Sequence, residues 1–165
     1  MRIVIGVGTP FRRDDGAGPA VIDLLRADPP AGVALAVTDG EPARLIALWD
    51  GADRAVVVDA VSADPAVPGR IHALDLTTAR RPASVDALAP TAPDAAPRPP
   101  ASGHALGLED AVALGAAVGC MPCELHVLAI EGGDFGWGPG LSPPVACAVR
   151  EVAARVRALV EGAAG

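Results

Sequence analysis

Aliphatic runs alternate along the chain with segments whose apolar residues recur at helical spacing. A strand buried on both faces reads as a continuous apolar run, whereas a helix repeats about every 3.6 residues, so the alternation predicts strands and helices in turn. The expected strands cover residues 2–7, 33–37, 55–58, 70–74 and 125–130. The expected helices begin near Ala17, Pro42, Ala105 and Pro143, and the last of them runs through Leu159.

Strands that alternate with helices predict a three-layer α/β fold, in which a mostly parallel twisted sheet of about five strands is flanked by helices. The run Ala55–Val58 is continuously apolar and ends at Asp59, which is typical of a central strand. Residues 82–101 are rich in Pro and Ala and have no periodicity, so they predict an irregular surface loop. A length of 165 residues suits one domain.

The charge and the apolar pattern restrict the possible partners and the location. A formal net charge of −7 would repel a polyphosphate backbone, and no basic cluster offsets it, so a nucleic acid partner is not expected. The chain shows neither a signal peptide nor an apolar stretch long enough for a membrane span, which predicts a soluble, cytoplasmic protein. The three cysteines are an odd number, so reduced thiols are expected. The oligomeric state is open, and a monomer is compatible with the sequence.

Three polar residues are expected near one edge of the sheet. Asp15 follows the first strand, with Asp14 beside it; Asp59 ends the third; and His104 precedes a helix. In open parallel sheets, ligands bind beyond the carboxyl ends of the strands, and two carboxylates with an imidazole suit a divalent metal such as nickel, zinc or iron. Singly, each of these residues could instead be a helix cap or a loop acceptor.

Two other motifs have weaker functional interpretations. Gly6-Val7-Gly8 resembles the start of a dinucleotide-binding loop, but Phe11 stands where the third glycine would be. Cys120 and Cys123 have the spacing of a redox or metal pair, extended by His126, but a structural zinc site needs four ligands. Two small residues in a turn account better for the cysteines.

Three segments together resemble the hydrogenase maturation protease family. The first is Gly6–Gly18, with its glycines and acidic pair; the second is Val57–Val61 around Asp59; the third is Ser102–Leu108 around His104. The resemblance spans nearly the whole chain and implies a phosphorylase/hydrolase-like α/β fold. Thr9 and Pro10 depart from the Asn that relatives often carry, which leaves the hydrogen bonding of this loop open.

The resemblance implies an endopeptidase that removes the C-terminal extension of a nickel-iron hydrogenase large-subunit precursor after nickel insertion. By this likeness Asp15, Asp59 and His104 are the metal ligands and catalytic residues, with Asp15 standing where some relatives carry Glu. The nickel recognised is the one already in the precursor, and zinc or cadmium could occupy the same site in vitro. Asp15 or Asp14 would accept a proton. The Gly-rich segment around Phe135 and Trp137 is expected to contact the precursor.

Three other functions remain open at this point. A non-catalytic nickel-dependent chaperone would bind the loaded precursor without cutting it. A metal-dependent hydrolase of small amides or peptides would cleave model peptides without any hydrogenase precursor. A nucleotide-binding module would be stabilised against heat by NAD or a nucleotide.

Overall fold

The computed structural model describes residues 1–77 and 103–162, and for residues 103–106 it describes the backbone alone. These residues form five strands and four α-helices, and a short 3₁₀ turn, Arg13–Gly16, precedes the first helix. The strands are β1 (Arg2–Val7), β2 (Val33–Thr38), β3 (Arg54–Val61), β4 (Ile71–Asp75) and β5 (Glu124–Glu131). The helices are α1 (Ala17–Ala27), α2 (Pro42–Trp49), α3 (Gly103–Val118) and α4 (Pro143–Glu161).

The strands form one sheet in the order β2-β1-β3-β5-β4. β1 is parallel to β2 and β3, and β3 is parallel to β5, whereas the edge strand β4 runs antiparallel to β5. The predicted α/β fold with a mostly parallel sheet is therefore confirmed. The predicted irregular loop at residues 82–101 lies outside the described residues.

Helices cover both faces of the sheet and enclose two aliphatic cores. On one face, α1 and α4 pack against Val56 and Val58 of the central strand. On the other face, α2 and α3 pack against Val57, together with the buried Trp49. Successive residues of a strand point to opposite faces, which explains why β3 must be apolar at consecutive positions.

The third strand is longer than its apolar run. The predicted strand covers residues 55–58 and ends at Asp59, but pairing with β5 continues through Asp59, opposite Ala129, to Val61, opposite Glu131. The prediction was wrong because the backbone ladder does not depend on side-chain polarity, and β5 supplies partners for three further residues. Asp59 is therefore held by a strand and not by a loop.

Glycines on both sides of the contact, at the end of β1 and in α1, allow the helix to lie directly against the sheet. A Cβ on Gly18 would be 2.3 Å from the carbonyl oxygen of Val7 and 2.7 Å from that of Val58. Gly8 has a φ of 135° and lies against the carbonyl oxygen of Asp15, where a Cβ would be 1.9 Å away. This close packing accounts for the Gly6-Val7-Gly8 motif without a dinucleotide.

Within residues 1–77 and 103–162, no helix is long and apolar enough to cross a membrane.

Candidate active site

The candidate site lies where the connections from two neighbouring strands diverge. The chain leaves β1 through α1 to β2 on one side, whereas β3 leads on towards β4 on the other side. Such a switch point opens a crevice at the carboxyl ends of the strands, where ligands bind in folds of this class. The turn Arg13–Gly16, which carries Asp15, packs against β3, which carries Asp59.

Asp15 is buried at the entry to α1, with 1% of its surface exposed. Its Oδ2 accepts a hydrogen bond from the backbone N–H of Thr9 at 2.8 Å. The backbone N–H of Asp15 donates to the carbonyl oxygen of Arg12 at 3.0 Å, which closes the turn. The donor to Asp15 is the backbone N–H of residue 9, which any residue other than proline provides. The hydrogen bond is therefore kept although this chain has Thr9 where relatives often carry Asn.

Asp59 is also buried, with 2% of its surface exposed. Its Oδ1 accepts a hydrogen bond from the backbone N–H of Ala60 at 2.8 Å. Burial raises the pKa of Asp59 to about 7; the bond from Ala60 opposes this rise, and the negative charge of Asp15 adds to it. The two carboxylates are thus close enough to repel each other, as expected for a pair that shares one site.

Asp14 has a different role from its neighbour, although it is fully buried. Its Oδ2 accepts hydrogen bonds from the backbone N–H groups of Gly133 and Asp134 and from the hydroxyl of Ser142, at 2.9, 3.0 and 2.9 Å. Its Oδ1 accepts from the backbone N–H of Ser142 at 2.7 Å. Burial acts to raise the pKa of Asp14, but these bonds outweigh it and lower the pKa. Asp14 is therefore an anchor for the Gly-rich segment and a poor proton acceptor.

The backbone places His104 in the first turn of α3. This end of the helix lies against the loop after β2, because a Cβ on Gly107 would be 2.6 Å from the carbonyl oxygen of Gly40. Leu108, one turn after His104, lines the same cavity as Asp59. The helix start is thus at the carboxyl edge, but the His104 side chain lies outside what is described. Among the side chains that the structure describes, which do not include His104, there is no group of three or more His, Cys, Asp or Glu that could hold a metal.

The Gly-rich segment 132–140 pairs with the loop that carries Asp15. Gly138 donates a backbone hydrogen bond to Phe11 at 2.9 Å and accepts one from Arg13 at 3.1 Å. The guanidinium of Arg12 lies over the ring of Trp137, 5.6 Å from its centroid. Phe11 and Trp137 are 69% and 79% exposed, although the chain has only four aromatic residues. We call Phe11, Arg12 and Trp137 the aromatic patch.

Glu131 is a buried carboxylate that the sequence reading missed. It ends β5, with 2% of its surface exposed, and its Oε2 accepts from the backbone N–H of Val67 at 2.7 Å. Its Oε1 lies 2.7 Å from Nε2 of His72 on the edge strand β4. The sequence signal for Glu131 was an acidic residue at the end of an apolar run, which is the same signal that identified Asp59. These partners make it a clamp for the β3–β4 connection.

The cysteine pair belongs to a turn at the opposite end of the sheet. The backbone N–H of Cys123 donates to the carbonyl oxygen of Ala52 at 3.0 Å. The indole N–H of Trp49 donates to the carbonyl oxygen of Cys120 at 3.0 Å. Cys120, Cys123 and Cys147 form no disulfide with one another. The turn interpretation fits these contacts.

Comparisons with known proteins agree on the fold. No family model matches the chain, and no curated protein matches it. A structure of the hydrogenase maturating endopeptidase HybD from Escherichia coli superposes with a TM-score of 0.72 at 22% identity, covering 99% of this chain and 94% of that one. The [NiFe] hydrogenase maturation protease HybD from Thermococcus kodakarensis gives 0.69 at 23% identity, covering 96% and 99%. A solution structure of an endopeptidase from Escherichia coli gives 0.73 at 20% identity, covering 99% and 94%. The chain thus shares the fold of these proteins over nearly its whole length.

Proposed function

We propose that this protein is an endopeptidase that removes the C-terminal extension of a nickel-iron hydrogenase large-subunit precursor after nickel insertion. The observation that carries the proposal is the buried pair of Asp15 and Asp59 at the switch point of a fold shared with hydrogenase maturation endopeptidases. Two like charges that are buried together cost folding free energy, so a site of this kind is kept for a function that uses them.

The residues present suit a divalent cation. Asp15 and Asp59 offer carboxylate oxygens, and they accept hydrogen bonds from the backbone N–H groups of Thr9 and Ala60, respectively. A cation would offset both their repulsion and their burial. His104, in the first turn of α3, is the third ligand in the proposal. The nickel is part of the substrate, and zinc or cadmium could take its place in vitro.

The proposed reaction is hydrolysis of one peptide bond. A water molecule adds to the scissile carbonyl carbon, the C–N bond breaks, and the proton lost by the water passes to the leaving nitrogen. A bound divalent ion supplies polarisation of the carbonyl or a lower pKa for the water. Because Asp14 is held by four donors, we assign the transfer of the proton to the Asp15–Asp59 pair.

The test is mass spectrometry of a cognate precursor, nickel-loaded or nickel-free, after incubation with this protein. We expect loss of a C-terminal peptide from the loaded precursor alone, and no loss with Asp15→Asn or His104→Ala. Asp50→Asn, which changes an exposed carboxylate, is the matched control and should cut normally. A loaded precursor that binds but stays intact would favour the chaperone, and cleavage of unrelated model peptides would favour a general hydrolase.

The aromatic patch is the proposed contact surface for the precursor. Trp137 is exposed and is held against the half-buried Arg12, so it loses little entropy on binding, and Trp and Arg side chains dominate protein interfaces. We expect Trp137→Ala to raise KM for the precursor by about tenfold with kcat little changed. Steady-state cleavage kinetics check this, with Val118→Ala as the control at another exposed apolar position. An unchanged KM for Trp137→Ala would remove the patch from the interface.

A further inference from the structure

A largely apolar cavity of about 370 Å³ opens beside Asp59. Its floor is formed by β3 and β5, one wall by β4 and the segment that follows it, and the other wall by α3. The residues that matter to its chemistry are Asp59, Leu74, Leu108, Val112, Val127 and Ala129. Protein interiors are close-packed, so an apolar space of this size that the described residues leave open beside a buried carboxylate needs an explanation.

The lining determines what the cavity can hold. Apart from Asp59 and the exposed Glu109, the described residues that line it are all aliphatic. An acidic side chain would lose its hydration there and would be repelled by the carboxylate of Asp59, whereas an aliphatic side chain would release water from both surfaces. The volume lies at the small end of the range for ligand pockets, about 300–1,000 Å³, which suits one large side chain with its adjoining backbone.

The position of the cavity links its occupant to the candidate reaction. Asp59 is itself part of the wall, and Ala129, its partner across the β3–β5 ladder, leaves the floor open beside it. A side chain that fills the cavity therefore brings its own backbone next to Asp59. In a peptidase that backbone belongs to a residue flanking the bond to be cut.

We propose that this cavity is a specificity pocket that takes one aliphatic side chain of a residue flanking the scissile bond. The inference rests on the proposed peptidase function and extends it to the class of residue selected. Removing methyl and methylene groups from a side chain bound in such a pocket lowers kcat/KM by roughly ten- to hundredfold. An acidic side chain placed there should stop cleavage.

The test begins with the bond that the unmodified protein cuts, located by mass spectrometry. The residue on each side of that bond is then changed in turn to Leu, Ala, Asp or Lys, and kcat/KM is measured for each precursor. At one of the two positions we expect Leu to exceed Ala by roughly ten- to hundredfold, and Asp not to support cleavage.

Narrowing the pocket should reduce this preference. Ala113 is an exposed residue of α3 at the rim of the cavity, so Ala113→Phe narrows it from the rim with little cost to the core. We expect Ala113→Phe to slow the Leu precursor at least tenfold and to spare the Ala precursor. Ala117→Phe, one turn further along the same helix and outside the cavity lining, is the matched control.

The outcomes separate the two proposals. Cleavage that is indifferent to both flanking residues, or an Ala113→Phe variant that slows all precursors equally, would overturn the pocket alone. Either result would mean that the occupant of the cavity is not a substrate side chain but another part of this chain or a second copy of it. If the unmodified protein cuts no precursor at all, the proposed function fails and the specificity pocket fails with it.

Discussion

Replacing Asp59 with asparagine is expected to stabilise the metal-free protein by about 4 kcal/mol above pH 7 and to abolish cleavage. Asparagine has nearly the same shape and keeps an oxygen to accept the 2.8 Å bond from the N–H of Ala60. It removes the charge whose burial raises the pKa of Asp59 to about 7, and it ends the repulsion by Asp15. A gain in stability of this kind is expected where a buried charge serves the proposed function at a cost to folding.

The sign of the pH dependence follows from proton binding. Asp59 has a pKa of about 7 when folded and an ordinary value of 3.8 when unfolded, so between these values the folded state holds a proton that the unfolded state lacks. The contribution of Asp59 to stability is therefore full below pH 3.8 and is lost as pH rises towards 7. A difference of about three pKa units corresponds to about 4 kcal/mol.

The measurement is urea unfolding of both proteins from pH 5 to pH 8 with a chelator present. The difference in free energy of unfolding between Asp59→Asn and the unmodified protein should grow with pH and level off above pH 7. Taking the difference cancels the opposite trend of Asp14 and Glu131, whose pKa values are lowered. Asp50→Asn should show no such trend. A difference that stays flat across this range would mean that Asp59 titrates like an ordinary carboxyl group.

The order of strands and helices could be read from the sequence because each element has a strong apolar signature. Aliphatic runs indicate strands covered by helices, and the Glu41-Pro42 start of α2 is a local signal that the structure confirms, with the Glu41 carboxylate accepting from the N–H groups of Ala43 and Arg44. The end of β3 could not be read in the same way. It depends on partners in β5 that are distant in sequence, and Asp59 interrupts the apolar run on which the prediction rested.

The two adjacent acidic residues show what a sequence motif leaves open. Asp14 and Asp15 were equal candidates for the proton acceptor, since nothing in a run of two aspartates distinguishes them. The structure separates them through contacts more than a hundred residues away: Asp14 is bonded to Gly133, Asp134 and Ser142, whereas Asp15 is bonded to the nearby Thr9. Their burial is almost equal, so the hydrogen-bond donors decide the chemistry of each.

Glu131 was missed for a related reason. Its partners are the N–H of Val67, in the loop before the edge strand, and the ring of His72, in that strand, and nothing in the sequence links either of them to position 131. A carboxylate that ends an apolar run of a strand can thus be a clamp, as Glu131 is, or one of a buried like-charged pair, as Asp59 is. The two cases are distinguished by the hydrogen-bond donors around the carboxylate, and these donors are known only from the folded structure.

Replacing Asp14 with asparagine is expected to cost about 1.5–3 kcal/mol of folding free energy and to lower kcat together with it. An amide keeps one acceptor oxygen and turns its NH₂ group towards an N–H or hydroxyl donor, so at least one bond of the anchor becomes a repulsive contact. The Gly-rich segment would then separate from the turn that carries Asp15. Urea unfolding and precursor cleavage at pH 7 measure the two effects.

Asp134→Asn is the matched control for this change, because it lies in the same segment and pairs with Arg13 at the surface, at 3.1 Å. An exposed pair contributes about 0–1 kcal/mol, so this variant should stay close to the unmodified protein. Ser142→Ala removes one donor and should fall between the two. The lowered pKa of Asp14 means that its contribution is present above the ordinary value of 3.8 and is lost as pH falls through the folded value. The cost of Asp14→Asn should therefore shrink in acid, and a cost that is the same at pH 3 and pH 7 would show that the charge of Asp14 does not hold the segment.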